Sequence, residues 1–260
     1  MKDVNHLHCM AALCLALAII GCGSDAPETS TTSNGSDTSE ASTSSSGSDT
    51  SETDSSDLDE SDPCTQKNLF ASEVVSFEAG AEAGYGSDNF PDVVLGPPSG
   101  KGNNAGSLDV LSLGIGGTIS LGFNGTKIVD EPGADFIVFE NPFWVNNSPT
   151  NIWFDLAEVS VSDDGETWHV FPCEPVNPDE GNYGQCAGWR TVQEFEVDDD
   201  FVLTAEAAGG DAYDIADIGL EQVSFIRIRD LAETGAAPSA GFDLDAVGAV
   251  HFKCPSQLEE

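Results

Sequence analysis

Short runs of β-branched and aromatic residues, bounded by clusters of glycine, proline, asparagine and aspartate, recur along the chain from residue 117 onward. Runs with this composition are typical of β-strands, and the residues between them favour turns. The runs lie at residues 117–123, 134–140, 157–162, 168–172, 223–229 and 246–252. Only residues 201–222 have possible helical spacing, and two consecutive glycines limit it to a short turn. We therefore expect an all-β, antiparallel sandwich, and the many short strands with long connections favour a jelly roll.

The segment SVSDDGETWHVF (160–171) shows the strand pattern most clearly. Valines and serines alternate up to an acidic turn that contains Gly165, and Trp168 and Val170 follow with the same alternation. Glycine adopts the positive φ that tight turns between antiparallel strands require. The segment therefore predicts a β-hairpin.

An apolar run of 12 residues, 9–20, lies near the N-terminus. Because a membrane-spanning helix needs about 20 apolar residues, this run is too short to span a bilayer, but it suits the hydrophobic region of a secretory signal. Gly21 and Cys22 follow, which resembles a bacterial lipobox. We predict that residues 1–22 are a lipoprotein signal peptide and that lipidated Cys22 anchors an exported protein to the bacterial cell envelope, at the cell surface. The alternative is an ordinary secretory signal that is cleaved elsewhere.

Residues 23–63 consist mainly of Ser, Thr, Asp, Glu and Gly, with 11 acids and no Lys or Arg. A segment of this composition buries too little apolar surface to offset the entropy lost on ordering, and its like charges repel one another. We therefore predict a disordered, extended stalk. The remaining residues, 64–260, are numerous enough for one domain with a sizeable core.

The charge of the chain restricts the partners that it can bind. The chain has 46 acids and 8 Lys and Arg residues, and 34 of these acids but only 7 of these bases lie within residues 64–260, leaving a net charge of about −27 there. A surface this acidic repels nucleic acids and anionic lipid headgroups and attracts cations. We therefore expect no nucleic-acid partner, and contact with the membrane only through the lipid anchor.

Four of the seven cysteines remain after the predicted processing and lipidation: Cys64, Cys173, Cys186 and Cys254. An even number of cysteines in an exported chain favours disulfides, and three pairings are possible. The favoured pairing joins Cys64 to Cys254, at the two ends of the domain, and Cys173 to Cys186, around a short loop. A zinc site is the alternative, but the sequence has no C-x-x-C spacing.

The segment VSVSDDGETWHVF resembles the hairpin of galactose-binding-like sandwiches, a group that includes the discoidin (factor V/VIII type C) domains. A wider pattern is similar to a group of uncharacterised bacterial cell-surface lipoproteins. Its pieces stand at residues 94–98, 109–123, 133–143, 160–168 and 241–247. The resemblance implies a galactose-binding-like β-sandwich. Domains of this kind bind sugars, lipids or proteins, so the resemblance favours a binding function without naming the ligand.

Two aspartates in the segment FDLDAV, Asp243 and Asp245, point to one face of the predicted strand. Neighbouring carboxylates repel each other unless a cation or a donor lies between them, and hard oxygen ligands suit Ca²⁺. In similar sandwiches an aspartate of the last strand and a glutamate of the first hold a structural Ca²⁺, which implies Asp245 and Glu78 here. Glu140 and Asn141 are the next candidate ligands. The alternative is that the two aspartates accept backbone N–H bonds or face nearby arginines.

The loop NPFWVNNSPTNIWFD (141–155) combines aromatic and amide side chains. Aromatic rings stack on the C–H faces of sugars while amides bind their hydroxyl groups, so the loop predicts a ligand site. Its candidate residues are Trp144, Asn146, Asn147 and Asn151. The alternative is that the aromatic residues, Trp153 among them, are core residues beneath a long loop.

Enzymatic functions are disfavoured because the chain has neither H-E-x-x-H nor G-x-S-x-G. We therefore expect a surface lipoprotein whose calcium-stabilised sandwich binds glycans or another extracellular ligand. The first alternative is a structural or adhesive surface protein that uses bridging Ca²⁺ to hold a matrix. The second is a hydrolase, such as a glycosidase, whose paired carboxylates form a site that no motif reveals.

Overall fold

The structure is a computed structural model that describes residues 69–174, 181–193, 196–197 and 201–258. These residues form short β-strands and one α-helix of a single turn, α1 (Ala205–Ala208). The strands are β1 (Glu73–Glu78), β2 (Leu111–Ser112), β3 (Thr118–Gly122), β4 (Lys127–Val129), β5 (Phe136–Phe139), β6 (Phe143–Trp144), β7 (Ile152–Trp153), β8 (Ala157–Ser162), β9 (His169–Val170), β10 (Asp211–Tyr213), β11 (Gln222–Val223), β12 (Phe225–Asp230), β13 (Asp243–Leu244), β14 (Ala246–Ala249) and β15 (Phe252–Lys253). Single 3₁₀ turns lie at Ser87–Asn89, Asp92–Val94, Val145–Asn147, Ile215–Ile218 and Pro255–Gln257.

The largest sheet has five antiparallel strands in the order β1-β3-β12-β8-β9. Its central strands alternate: Ile226 and Ile228 of β12 are buried, whereas Arg227 between them is half-buried and Arg229 beyond them is exposed. This alternation is the pattern of a sheet with one face on the core. The sheet therefore supplies one wall of the main hydrophobic core.

A second, three-stranded sheet in the order β10-β5-β14 supplies the facing side chains. Phe136 and Val138 of β5 join the main core, whereas Ile137 and Phe139 pack in a second cluster with Leu203. Every residue of β5 is buried, because both faces of the strand are covered. This double burial explains why the run FIVF is continuously apolar rather than alternating.

Three smaller sheets complete the fold, in the orders β11-β4-β15, β13-β2 and β6-β7. The β6–β7 hairpin pairs Phe143 with Trp153 and Trp144 with Ile152, and it carries the aromatic loop that the sequence singled out. In the β13–β2 pair, Asp243 lies directly opposite Ser112. These two small sheets therefore position the side chains of Trp144 and Asp243.

The all-β, antiparallel class predicted from the sequence is confirmed, and the jelly-roll winding stays a prediction. The hairpin at 160–171 is confirmed as β8 and β9, with Ser160 opposite Val170. In its turn Gly165 has φ 73°, and the Asp164 carboxylate accepts the backbone N–H groups of Glu166 and Thr167 at 2.8 and 2.7 Å. The only α-helix of the described residues, α1, lies in the one segment with helical spacing and is followed directly by Gly209.

The predicted signal peptide, Cys22 and the stalk lie outside the described residues. Among the residues that are described, no helix has both the length and the apolar character needed to cross a membrane.

Candidate functional site

A cleft of about 620 Å³ lies between the β6–β7 hairpin and the loop that contains residues 181–191. The hairpin side contributes Trp144, Asn151 and Phe154, and the opposite side contributes Tyr183 and Trp189. A cavity of this volume is large enough for a small ligand, since ligand sites in proteins span about 300–1,000 Å³.

Aromatic rings from both sides form the apolar part of the cleft. The ring centroids of Phe154 and Tyr183 are 4.8 Å apart, and those of Tyr183 and Trp189 are 5.6 Å apart, with tilted planes in both pairs. Trp144 lines the cleft from the hairpin and is half-buried. These two contacts hold the rings of Phe154, Tyr183 and Trp189 in defined orientations, because aromatic pairs prefer tilted or offset geometry.

Polar groups stand beside these rings. Asn103 links the two sides of the cleft: its backbone oxygen accepts the N–H of Trp144 at 2.6 Å, and its side-chain Oδ1 accepts the hydroxyl of Thr191 at 2.5 Å. Thr150 and Asn151 line the rim and are exposed. The cleft therefore combines stacking surfaces with amide and hydroxyl groups that can bind a polyhydroxylated ligand.

Arg190 is the only charged side chain among the described residues that line the cleft. Its guanidinium lies 4.5 Å from the centroid of the Trp189 ring, and its Nε lies 3.8 Å from Oδ1 of Asp211. Asp211 is buried behind the cleft, where its Oδ2 accepts the N–H groups of Gly188 and Trp189 at 2.7 and 3.2 Å. Burial raises the pKa of Asp211 to about 7. These backbone hydrogen bonds and the charge of Arg190 act in the opposite direction and lower it. Near neutral pH, Asp211 therefore balances only part of the Arg190 charge.

The disulfide Cys173–Cys186 closes the loop from which Tyr183 enters the cleft. This predicted pairing is confirmed, with the two Cα atoms 4.4 Å apart. Trp189 follows the loop, and its indole N–H donates to the backbone oxygen of Cys186 at 3.1 Å. Cys254 is also disulfide-bonded, but its predicted partner, Cys64, lies outside the described residues. The Cys64–Cys254 pairing therefore stays a prediction.

The residues predicted to bind ligand are only partly brought together. Trp144 and Asn151 line the cleft, whereas Asn146 and Asn147 are exposed residues of the 3₁₀ turn and do not line it. Trp153 is 59% exposed, so it is not the core residue that the alternative interpretation required. The sequence interpretation did not assign Tyr183, Trp189 or Arg190 to the site. The signal that could have found them is the aromatic pair flanking the second cysteine of the disulfide loop.

Three of the residues predicted to bind calcium lie together: Glu140, Asn141 and Asp243. Oε1 of Glu140 accepts the backbone N–H of Asp243 at 3.4 Å, and the Asn141 side chain hydrogen-bonds to the Asp243 carboxylate. Asp155, which the sequence did not single out, joins them, because its charge and that of Asp243 both act on Glu140. All four have hard oxygen atoms of the kind that Ca²⁺ prefers, and the calcium site stays a prediction.

The other two predicted calcium ligands lie in different surroundings. Glu78 is exposed on β1, where its charge acts on Arg227 of the same sheet. Both carboxylate oxygens of Asp245 accept the backbone N–H of Ser99, at 2.9 and 3.1 Å. Asp245 thus holds a loop in place through backbone N–H bonds, as the alternative interpretation described, while Asp243 contacts Ser112.

A second group of acids, Asp130, Asp135 and Asp214, has carboxylate oxygens within 4.8 Å of one another. The buried member, Asp135, already accepts the N–H groups of Glu131 and Ile215 at 3.1 and 2.8 Å, and its Oδ1 lies 3.0 Å from Nδ1 of His251. Because protein donors reach both oxygens of Asp135, its carboxylate holds the surrounding backbone in place.

A search of known protein families finds no family model that matches this chain, and no curated protein matches it.

Proposed function

We propose that the protein is a lipid-anchored, calcium-stabilised surface protein whose β-sandwich binds a saccharide in the cleft between Trp144 and Trp189. The observation that carries this proposal is the composition of the cleft, in which four aromatic rings stand beside amide and hydroxyl groups. Aromatic rings stack on the C–H faces of sugar rings, while the polar groups exchange hydrogen bonds with sugar hydroxyls.

The charge of the cleft favours an acidic saccharide over a neutral one. Its described lining contains Arg190 and no carboxylate side chain, although acids outnumber bases by 34 to 7 within residues 64–260. A guanidinium binds a carboxylate or sulfate through two parallel hydrogen bonds. A uronate or a sulfated sugar is therefore the favoured class of ligand.

The experiment is calorimetric titration of the full chain with matched neutral, uronate-containing and sulfated oligosaccharides at one ionic strength. We expect Trp144→Ala to weaken binding by about tenfold or more, which corresponds to a loss of about 1.4 kcal/mol. Trp153→Ala is the matched control, because Trp153 lies on the same hairpin but is exposed and does not line the cleft. We expect this control to bind as the unsubstituted protein does.

Arg190→Gln tests the charge preference separately. The variant should lose the preference for acidic sugars and retain its affinity for the neutral ones. Equal loss of affinity in the Trp144 and Trp153 variants would contradict the site, and the absence of binding to every saccharide would contradict the function.

The structural or adhesive alternative is favoured by one observation, the excess of acids, which bridging Ca²⁺ can neutralise between copies. Sedimentation in calcium and in chelator distinguishes it. Calcium-dependent self-association without saccharide affinity supports the alternative, whereas saccharide binding by a species of unchanged mass supports the cleft.

A further inference from the structure

Asn103 lines the cleft, and its backbone is held between the two walls. Its backbone oxygen accepts the N–H of Trp144, on the hairpin, at 2.6 Å. The preceding residue, Gly102, donates its N–H to the backbone oxygen of Val192 at 2.8 Å. A Cβ at Gly100 would lie 2.2 Å from the Val192 side chain, so the chain packs closely there. The backbone is therefore fixed on both sides of Asn103, and the side chain projects from a rigid base.

A short chain of hydrogen bonds orients the Asn103 amide. Nε2 of Gln193 donates to Oγ1 of Thr191 at 3.4 Å, and the Thr191 hydroxyl donates to Oδ1 of Asn103 at 2.5 Å. A hydroxyl group has one proton, so Thr191 donates it to Asn103 while it accepts from Gln193. The oxygen of the Asn103 amide therefore faces Thr191, and the NH₂ group is turned away from Thr191.

The NH₂ group of Asn103 is a donor that lacks an acceptor. No described residue accepts a hydrogen bond from its Nδ2, and the residue is half-buried. An amide nitrogen carries two N–H donors, and a donor that is withdrawn from water without an acceptor is destabilising. Because Asn103 lines the cleft, a ligand in the cleft is the partner that can reach these donors.

Arg190 supplies further donors to the same part of the lining. It directly precedes Thr191, and both residues line the cleft. A guanidinium has five N–H donors and no acceptor, and the Asn103 NH₂ group adds two more donors. An acid group, whose oxygens only accept, satisfies such a set better than a sugar hydroxyl, which also donates a proton of its own.

We propose that Asn103 is a specificity-determining residue of the cleft, and that its NH₂ group donates to the acid group of the saccharide beside Arg190. This inference rests on the proposed function and adds a second, neutral donor to it. The side chain of Arg190 is 51% exposed, so solvent weakens the contribution of its charge. Asn103 contributes direction instead, since a donor that is already oriented loses little entropy when the ligand binds.

The test is calorimetric titration of the full chain with matched neutral and uronate-containing oligosaccharides at one ionic strength. Asn103→Asp keeps the size of the side chain and an oxygen that accepts from Thr191, but it replaces the NH₂ donor with a charged acceptor. We expect it to weaken binding of the uronate-containing sugar by about tenfold or more, and binding of the neutral sugar by less than about threefold. Asn104→Asp is the matched control. It adds the same charge to the same loop at an exposed residue that does not line the cleft, and it should bind both sugars as the unsubstituted protein does.

The contact that orients the amide supplies a second test, in which no charge changes. Thr191→Val removes the hydroxyl and frees the Asn103 amide to rotate, so the affinity for the uronate-containing sugar should fall relative to that for the neutral sugar. Thr191→Ser keeps the hydroxyl and should keep the ratio of the two affinities. If Thr191 serves only to support the wall, Thr191→Val lowers both affinities in the same proportion, which would contradict the inference.

Combination with Arg190→Gln shows whether both residues contact one acid group. If they do, the loss of affinity in the double variant with Asn103→Asp is smaller than the product of the two single losses, because the second substitution removes a contact that the first has already weakened. Losses that multiply place the two donors on different groups and overturn the inference. It is also wrong if Asn103→Asp and Asn104→Asp bind the uronate-containing sugar equally well, whereas Trp144-dependent binding would then still support the proposed function. Absence of saccharide binding by the unsubstituted protein overturns the proposed function and this inference together.

Discussion

At the scale of the residue, the function of a buried acid depends on which donors reach it. Asp211, Asp230 and Asp245 each accept backbone N–H groups and hold loops in place. Glu140 is equally buried, but one of its oxygens has no partner. A buried carboxylate therefore fastens a loop in one place and keeps an oxygen without a donor in another, and this difference is invisible in the local sequence.

Two of these buried acids, Asp211 and Asp245, predict that the free energy of unfolding is larger at mildly acidic pH than at neutral pH. Burial raises the pKa of Asp211 and of Asp245 to about 7, from an ordinary value of 3.8. Between about pH 4 and pH 7 the native state therefore binds more protons than the unfolded state, so the free energy of unfolding decreases as pH rises through this window. We expect greater stability at pH 5 than at pH 7.5, measured by chemical denaturation in chelator.

Asp211→Asn isolates one contribution to this effect. The amide oxygen can still accept the N–H groups of Gly188 and Trp189 but does not titrate, so the stability lost between pH 5 and 7.5 should decrease by roughly 2–3 kcal/mol. Asp88→Asn, at an exposed position, is the control and should leave the pH dependence unchanged. A variant at Asp211 with the full pH dependence of the unsubstituted protein would show that this carboxyl does not titrate in the window.

At the scale of the element, β5 is the strand on which both cores depend. Ile137 faces the second cluster and Phe136 the main core, and both are fully buried. We expect Ile137→Ala to lower the free energy of unfolding by about 2–5 kcal/mol, through lost burial and the cavity that remains. Val75→Ala on β1, where the side chain is 50% exposed, should change it by less than about 0.5 kcal/mol. Urea denaturation of both variants measures the difference, and similar losses in the two would refute the central role of β5.

The strands also show where local pattern predicts structure and where it fails. The runs at 134–140 and 157–162 contain β5 and β8 because their apolar residues suit buried or alternating strands. The run at 246–252 is wrong in extent: β14 ends at Ala249, and Phe252 pairs in a different sheet. Likewise, Asp243 and Asp245 do not share one uninterrupted strand, since Asp245 binds Ser99, which is 146 residues away in sequence. Such distant partners leave no trace in a local alternation of residues.

The residues that line the candidate cleft also fall into two groups. One group comes from a single loop with a local sequence pattern, and the other comes from a segment distant in sequence. The sequence predicts Trp144 and Asn151 as site residues because aromatic and amide residues lie beside one another within one loop. Tyr183, Trp189 and Arg190 come from a segment about 40 residues later, which a disulfide and the buried Asp211 bring to the same place. Half of the site was therefore accessible to sequence, and the other half required the tertiary fold.

At the scale of the whole molecule, the cleft differs from the rest of the chain in the sign of its charge. The chain has a net charge of −38, yet the described lining of the cleft has one arginine and no acid. General repulsion would keep anionic polymers away from most of the surface, while salt at physiological strength limits this repulsion to about 8 Å. An acidic saccharide would therefore bind through short-range contacts with Arg190 and the rings, and its affinity should depend little on the distant charges.

The predicted lipid anchor on Cys22 would keep the saccharide-binding domain at the membrane. Cys22 follows the apolar run 9–20, and the acidic residues 23–63 separate it from the domain. We expect Cys22→Ser to move the protein from the membrane fraction to the soluble fraction, because a lipid on this residue is the predicted attachment. Cys14→Ser is the matched control: it changes a cysteine inside the apolar run and should leave the protein in the membrane fraction. Mass analysis of the mature N-terminus checks the same point directly, since it should begin at Cys22 and carry the mass of acyl chains. A mature chain that begins elsewhere, or a Cys22→Ser variant that stays with the membrane, would replace the lipid anchor with ordinary secretion or another mode of attachment.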